Sequence, residues 1–217
     1  MPLKAKICGI NSPDALEAAV DGGAGYVGFV FYAASPRFVT PVQAVMIAAP
    51  APADVKKVGL FVDAEDSAIQ ETLDACPLLD MLQFHGAESP ERVIEAKETF
   101  GLPVIKAIKL AGPDDLFVAG DYLGTADMLL FDAQPPDDLE GALPGGNALA
   151  FDWELLSGAQ WPCPWLLSGG LNTDNLAEAV EITGAAMVDV SSGVEDAPGH
   201  KDPERITAFL EAVAKIG

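Results

Sequence analysis

The feature that most constrains this chain is an alternation. Short apolar runs of strand length are followed, again and again, by stretches with helical apolar spacing. Runs at 4–10, 26–31, 57–62, 80–84, 103–108, 128–131, 165–167 and 186–190 read as strands. Stretches at 13–21, 41–49, 65–75, 89–100, 114–122, 151–156, 173–183 and 203–216 read as helices. Ser12-Pro13 and Ser89-Pro90 each supply an N-cap with proline at the first helical position. Strands that alternate with helices imply a parallel sheet. At about 27 residues per pair, eight pairs suit a small (β/α)8 TIM barrel better than the rival, an open doubly wound sheet.

The 217 residues, 50% hydrophobic, can bury one sizeable core, so a single domain over 1–217 is expected. No GxGxxG follows the first strand and no P-loop occurs, which leaves no support for a dinucleotide or P-loop nucleotide site. The N-terminal MPLKAKICGI lacks the pattern of a cleavable signal, and no apolar run is long enough to span a bilayer. A soluble cytoplasmic protein is the expectation. Cys8, Cys76 and Cys163 are odd in number and far apart, so reduced thiols are expected, with neither a disulfide framework nor a metal site.

A formal charge of −21 argues against nucleic acid and against anionic membrane as partners. The same repulsion disfavours self-association, so a monomer is expected, with a homodimer as the alternative. With only 12 Lys and Arg in the chain, any anionic ligand must be captured by local donors. Two stretches are built for that. The seventh strand runs into Ser168-Gly169-Gly170 and the eighth into Ser191-Ser192-Gly193. Glycine turns at the carboxyl ends of parallel strands leave backbone N–H groups open to an anion, and the loops after strands seven and eight are where barrels hold phosphate. Each turn alone is more simply a tight connection; two in tandem point to a phosphate site.

Barrel chemistry sits where strands end, and here the ends carry reactive groups. Strand one ends at Cys8, strand two leads to Arg37, strand four ends at His85, strand six at Asp132 and strand eight at Asp189. Singly, each has a plain explanation: a small core thiol, a solvated loop charge, a buried imidazole, a turn-capping carboxylate. Together, a thiol, a carboxylate and a guanidinium at one rim, opposite two phosphate-type turns, suggest an acid-base pair with two anchors for a doubly anionic ligand. The Pro- and Gly-rich segment 133–147 is long enough to be a lid.

The segments KICGI at 6–10, GFVF at 28–31 with Ser35-Pro36-Arg37, QFHG at 83–86, LFD at 130–132, FDW at 151–153, LSGGL at 167–171 and VDVSSGVE at 188–195 resemble, in order, those of phosphoribosylanthranilate isomerase, an enzyme of tryptophan biosynthesis. The resemblance runs from Lys6 to about Asp202. It implies a cofactor-free Amadori rearrangement of a phosphosugar, N-(5-phosphoribosyl)anthranilate, to 1-(2-carboxyphenylamino)-1-deoxyribulose 5-phosphate. Asp132 then matches the general acid and Cys8 the general base. Arg37 matches the residue that pairs with the anthranilate carboxylate. Asp189 matches a position near the ribose, His85 falls in a substrate-binding motif, and Gly169, Gly170, Ser192 and Gly193 match the phosphate turns. A thiolate can take a proton made acidic by a neighbouring iminium, and a carboxyl shielded from water can carry the proton it donates. Two departures stand out: Gln134 where lysine is usual, and Ala148 where the lid usually has its last glycine, which would loosen lid closure.

Overall fold

The computed structural model describes residues 2–135, 145–147 and 149–217. Eight parallel strands close into a barrel: β1 (Lys4–Cys8), β2 (Tyr26–Val30), β3 (Lys56–Phe61), β4 (Met81–Phe84), β5 (Val104–Leu110), β6 (Met128–Ala133), β7 (Trp165–Leu167) and β8 (Met187–Val190). Closure is direct, because β1 pairs with β2 through Cys8↔Gly28 and with β8 through Lys6↔Asp189. The helices are α1 (Pro13–Asp21), α2 (Pro41–Ala48), α3 (Asp66–Ala75), α4 (Pro90–Phe100), α5 (Asp115–Asp121), α6 (Leu176–Thr183) and α7 (Pro203–Ile216).

Local chemistry sets these boundaries. The side chains of Ser12 and Ser89 accept from Ala15 N and Arg92 N, each with proline next in line. Gly101 and Gly184 close α4 and α6 in the left-handed conformation. Along α7, Ile206, Phe209, Leu210 and Val213 recur at helical spacing and are buried, each worth roughly 1.5–3 kcal/mol of transfer free energy. This outer layer of helix-facing residues is one core. A second fills the barrel itself with Val58, Met81, Ile105, Ala107, Met128, Leu130 and Leu166.

The alternation overstates the helices by one. The segment after β6 contains only a 3-10 turn, Trp153–Leu156, among the described residues. Asp152 caps it on Glu154 N, but Gly158 at φ 69 and the prolines at 162 and 164 follow too closely for a longer helix. A small antiparallel hairpin also appears where a loop is expected, between β8 and α7: β9 (Glu195–Ala197) and β10 (His200–Lys201), turned by Gly199 at φ 80. Of the expected lid, residues 136–144 and Ala148 lie outside the described residues. No helix among the described residues is long and apolar enough to cross a membrane.

Candidate active site

Side chains two apart on a strand share a face, and this rule delivers polar groups into the barrel mouth in pairs. On β1, Lys6 and Cys8 both point inward, since Ala5 and Ile7 belong to the helix-facing core. Lys6 has no exposed surface at all. Its Nζ donates to Asp189 Oδ1 at 2.7 Å, and Asp189 Oδ2 accepts from Ser168 Oγ at 3.0 Å. Both carboxylate oxygens of Asp189 are thus held by the protein. The ammonium also stands beside the thiol: a Cβ placed on Gly28 would lie 3.1 Å from Cys8 Sγ and 3.2 Å from Lys6 Nζ. Glycine at position 28 is what leaves them room.

Burial pushes the Cys8 thiol above its ordinary value; the charge and hydrogen bond of Lys6 pull it back down only in part, opposed by Asp189. For Lys6, burial alone would lower the ammonium, but Asp189 and Cys8 outweigh it and hold it above its ordinary value. Lys6 therefore stays charged, and it is the cation that a thiolate at Cys8 would need.

Across the mouth, His85 Nε2 lies 3.0 Å from Asp132 Oδ2, and His85 Nδ1 lies 3.0 Å from Gln83 Nε2. Asp132 Oδ1 accepts from Ala133 N at 2.9 Å. Gly145 closes over this pair: a Cβ there would come within 2.5 Å of His85 Nε2 and 2.8 Å of Asp132 Oδ2. Gly145, in the described part of the segment expected as a lid, thus stands directly against Asp132.

Arg37 is buried and turns one edge of its fork on Glu195, with Nε to Oε1 at 2.7 Å and Nη2 to Oε2 at 2.8 Å. Nη2 also donates to the Gly146 carbonyl at 3.1 Å. Lys201 Nζ reaches Glu195 Oε1 at 2.6 Å and the Ser191 carbonyl at 2.9 Å. The hairpin is what brings Glu195 and Lys201 into register. Burial would raise Glu195, but the Arg37 hydrogen bond and the Lys201 charge win and hold it below its ordinary value. Lys201 is pulled down by burial to about 8, against the attraction of Glu195.

The two glycine turns abut. Gly169 and Gly170 take φ 84 and 64, which glycine adopts without strain. A Cβ on Gly193 would run into the Leu171 carbonyl oxygen, so the second turn packs on the first only as glycine. No hydrogen bond among the described residues uses the backbone N–H of Gly169, Gly170, Ser192 or Gly193. Gln134, by contrast, sits exposed past the end of β6.

One cavity of about 730 Å³, its open mouth included, is lined by Cys8, Arg37, His85, Asp132, Asp189, Gly169, Gly170 and Ser192. Of the nine residues singled out from sequence, only Gly193 is not on its wall, standing behind it against Leu171. The residue reading gave no role to Lys6, Gln83, Glu195 or Lys201. The two-residue spacings Lys6-x-Cys8 and Gln83-x-His85 were the signal for the first two; nothing local announces the hairpin that delivers the others.

A closed eight-stranded barrel with its reactive groups at the carboxyl ends of the strands defines a TIM-barrel enzyme. The family model described as N-(5'phosphoribosyl)anthranilate (PRA) isomerase matches residues 5–212, and the chain belongs to that family. It is 55% identical over 216 residues to the N-(5'-phosphoribosyl)anthranilate isomerase of Rhodospirillum centenum, covering 100% of both chains. It is 49% identical over 215 residues to that of Parvibaculum lavamentivorans, covering 99% of this chain and 100% of the other. Among solved structures, phosphoribosyl anthranilate isomerase from Thermotoga maritima is similar at 33% identity with a TM-score of 0.85, over 97% of this chain and 98% of that one. A further structure, at 32% identity and TM-score 0.80 over the same shares, is a phosphoribosyl anthranilate isomerase in complex with reduced 1-(o-carboxyphenylamino)-1-deoxyribulose 5-phosphate. The chain is accordingly an aldose–ketose isomerase of tryptophan biosynthesis.

Proposed function

We propose that Asp132 is the general acid and Cys8 the general base of the rearrangement of N-(5-phosphoribosyl)anthranilate. Protonated Asp132 gives its proton to the furanose ring oxygen; the C1′–O bond breaks, and the anthranilate nitrogen lone pair forms the C1′=N bond of an iminium. The C2′ proton, now acidified by the iminium, passes to the Cys8 thiolate, and its electrons give the enolamine, which tautomerises to the ketone. The observation that carries this reading is that Cys8 and Asp132 share one cavity, with a buried ammonium beside the thiol and an imidazole on the carboxyl. Both partners act where proton transfer needs them.

The ligand's two anions have separate seats. The unspent N–H groups of the glycine turns suit the phosphate. The Nη1–Nη2 end of Arg37 suits the carboxylate, which would displace the Gly146 carbonyl, since the Nε–Nη2 edge is taken by Glu195. The reduced 1-(o-carboxyphenylamino)-1-deoxyribulose 5-phosphate of the similar solved complex has this same pair of ends. Although the Thermotoga maritima relative is described as dimeric, the charge of −21 favours a monomer here, which sedimentation at moderate salt decides.

Loss of phosphoribosylanthranilate fluorescence on adding the purified protein tests the function. Cys8→Ser and Asp132→Asn should each lower turnover by about 10² or more while leaving KM within a fewfold. Near-normal turnover in either variant would remove that residue from its role.

A further inference from the structure

Gln83 has no exposed surface, lies inside the barrel and takes no part in the chemistry above. It is the inner end of a buried chain: Gln83 Nε2 to His85 Nδ1 at 3.0 Å, then His85 Nε2 to Asp132 Oδ2 at 3.0 Å. We propose that Gln83 is a positioning residue that locks His85 in the Nε2–H tautomer and so keeps the transferable proton on Asp132. This rests on the reading of Asp132 as the acid.

Which end of the amide faces the imidazole decides the outcome. An amide nitrogen can only donate, so with Nε2 of Gln83 toward Nδ1, that ring nitrogen must accept. The ring proton then sits on Nε2 and is donated to Asp132. Turned round, Oε1 of Gln83 would draw a proton onto Nδ1, leaving Nε2 bare or the ring doubly protonated. The first orientation is the favoured one. Gln83 Oε1 has no hydrogen-bond partner among the described residues, and its register neighbours Leu60 and Ile105 are aliphatic. Either way one amide N–H lacks an acceptor among the described residues, so the choice lies between stranding the carbonyl oxygen and stranding the second N–H, and a carbonyl short of a bond costs less than a further buried N–H without an acceptor.

Two consequences reach the acid. His85 has no lone pair left for a second proton, so a proton entering the pair must go to the carboxyl. On Asp132, one lone pair of Oδ1 is engaged by Ala133 N–H and one of Oδ2 by His85, so the proton takes a remaining lone pair, on the cavity side. Once it has left, the carboxylate keeps both donors. Of the neighbouring cations, Lys106 is committed to Glu88 and the Gly86 carbonyl, and Lys109, level with Asp132 on β5, makes no ion pair with it among the described residues.

The chain has two histidines, His85 and His200, so ¹⁵N-histidine labelling reads the state of His85 directly, with the exposed His200→Gln variant for assignment. At pH 7 the wild-type protein should show His85 neutral with its proton on Nε2. Gln83→Glu, whose carboxylate accepts, should convert His85 to imidazolium and lower kcat by about 10² with little change in KM. An Nδ1–H tautomer or an imidazolium in the wild type overturns the proposal, and so does a Gln83→Glu enzyme with wild-type kcat. The spectrum is independent of the chemistry: if the Nε2–H tautomer is found and Asp132→Asn remains active, the assignment of the acid fails and the lock stands.

Discussion

Replacing Lys6 by methionine separates what this residue does for the fold from what it does for Cys8. Alone, Lys6→Met leaves Asp189 buried with a single Ser168 hydroxyl for company. Breaking one side of a buried pair costs about 3–5 kcal/mol, a large part of the 5–15 kcal/mol typical of a domain. Adding Asp189→Asn removes the stranded charge and should recover most of that loss, bringing the urea midpoint back toward wild type. The effect on Cys8 should recover only in part, because Asp189→Asn also removes the carboxylate charge that opposes Lys6 at the thiol. Because one point lies 3.1 Å from Sγ and 3.2 Å from Nζ, the two atoms are no more than about 6 Å apart. At an effective dielectric of about 20, unit charges about 6 Å apart attract by about 2.8 kcal/mol. That is a factor of about 10² in thiolate population at pH 7. The double variant should therefore be folded, bind substrate to within the change made at Asp189, and turn over more slowly in the fluorescence assay by a factor that approaches about 10², less the part returned by removing the Asp189 charge. A double variant that is stable and retains wild-type kcat would refute the claim that Lys6 makes the thiol a base.

Gly193→Ala should raise KM at least tenfold with a smaller change in kcat, because its methyl would meet the Leu171 carbonyl and spread the two phosphate turns; an unchanged KM would show that the turns do not hold the phosphate. Lys201, lowered to about 8 from an ordinary 10.5, should lose its proton as pH rises from 7 to 9, taking a cation from Glu195 and from the anion-binding end. KM should climb through that window in the wild type and stay flat in Lys201→Met. Between about 8 and 10.5 the unfolded chain holds this proton and the folded one does not, so Lys201 makes stability rise with pH there, and Lys201→Met should lose that contribution in urea titrations at pH 8 and 10.

The barrel was legible because its strands and helices differ in period and because their caps are local. Ser12-Pro13, Ser89-Pro90 and Pro203 each mark a helix start to within a residue, since capping is settled by neighbours in sequence. The 3-10 turn at Trp153–Leu156 misled for the opposite reason: its apolar residues have helical spacing, but Gly158 and two prolines limit its length. Cys8, His85, Asp132 and Asp189 could be read as rim residues from their place at strand ends. What those residues touch could not be read. The pairing of Lys6 with Asp189 spans 183 positions and depends on barrel closure, and Arg37 meets Glu195 only because an unforeseen hairpin folds back over β8. Nor could the sequence show that one edge of the Arg37 fork is committed to the protein.

The central claim is a division of labour, in which Asp132 opens the ring and Cys8 removes the C2′ proton, and substrate deuterated at C2′ tests it most directly. In Cys8→Ser, proton removal becomes the slow step, so kcat should fall and show a primary isotope effect larger than that of the wild type. In Asp132→Asn, ring opening precedes any cleavage at C2′ and becomes the slow step, so kcat should fall with an isotope effect close to one. The reverse pattern, or equal isotope effects in the two variants, would contradict the assignment of acid and base.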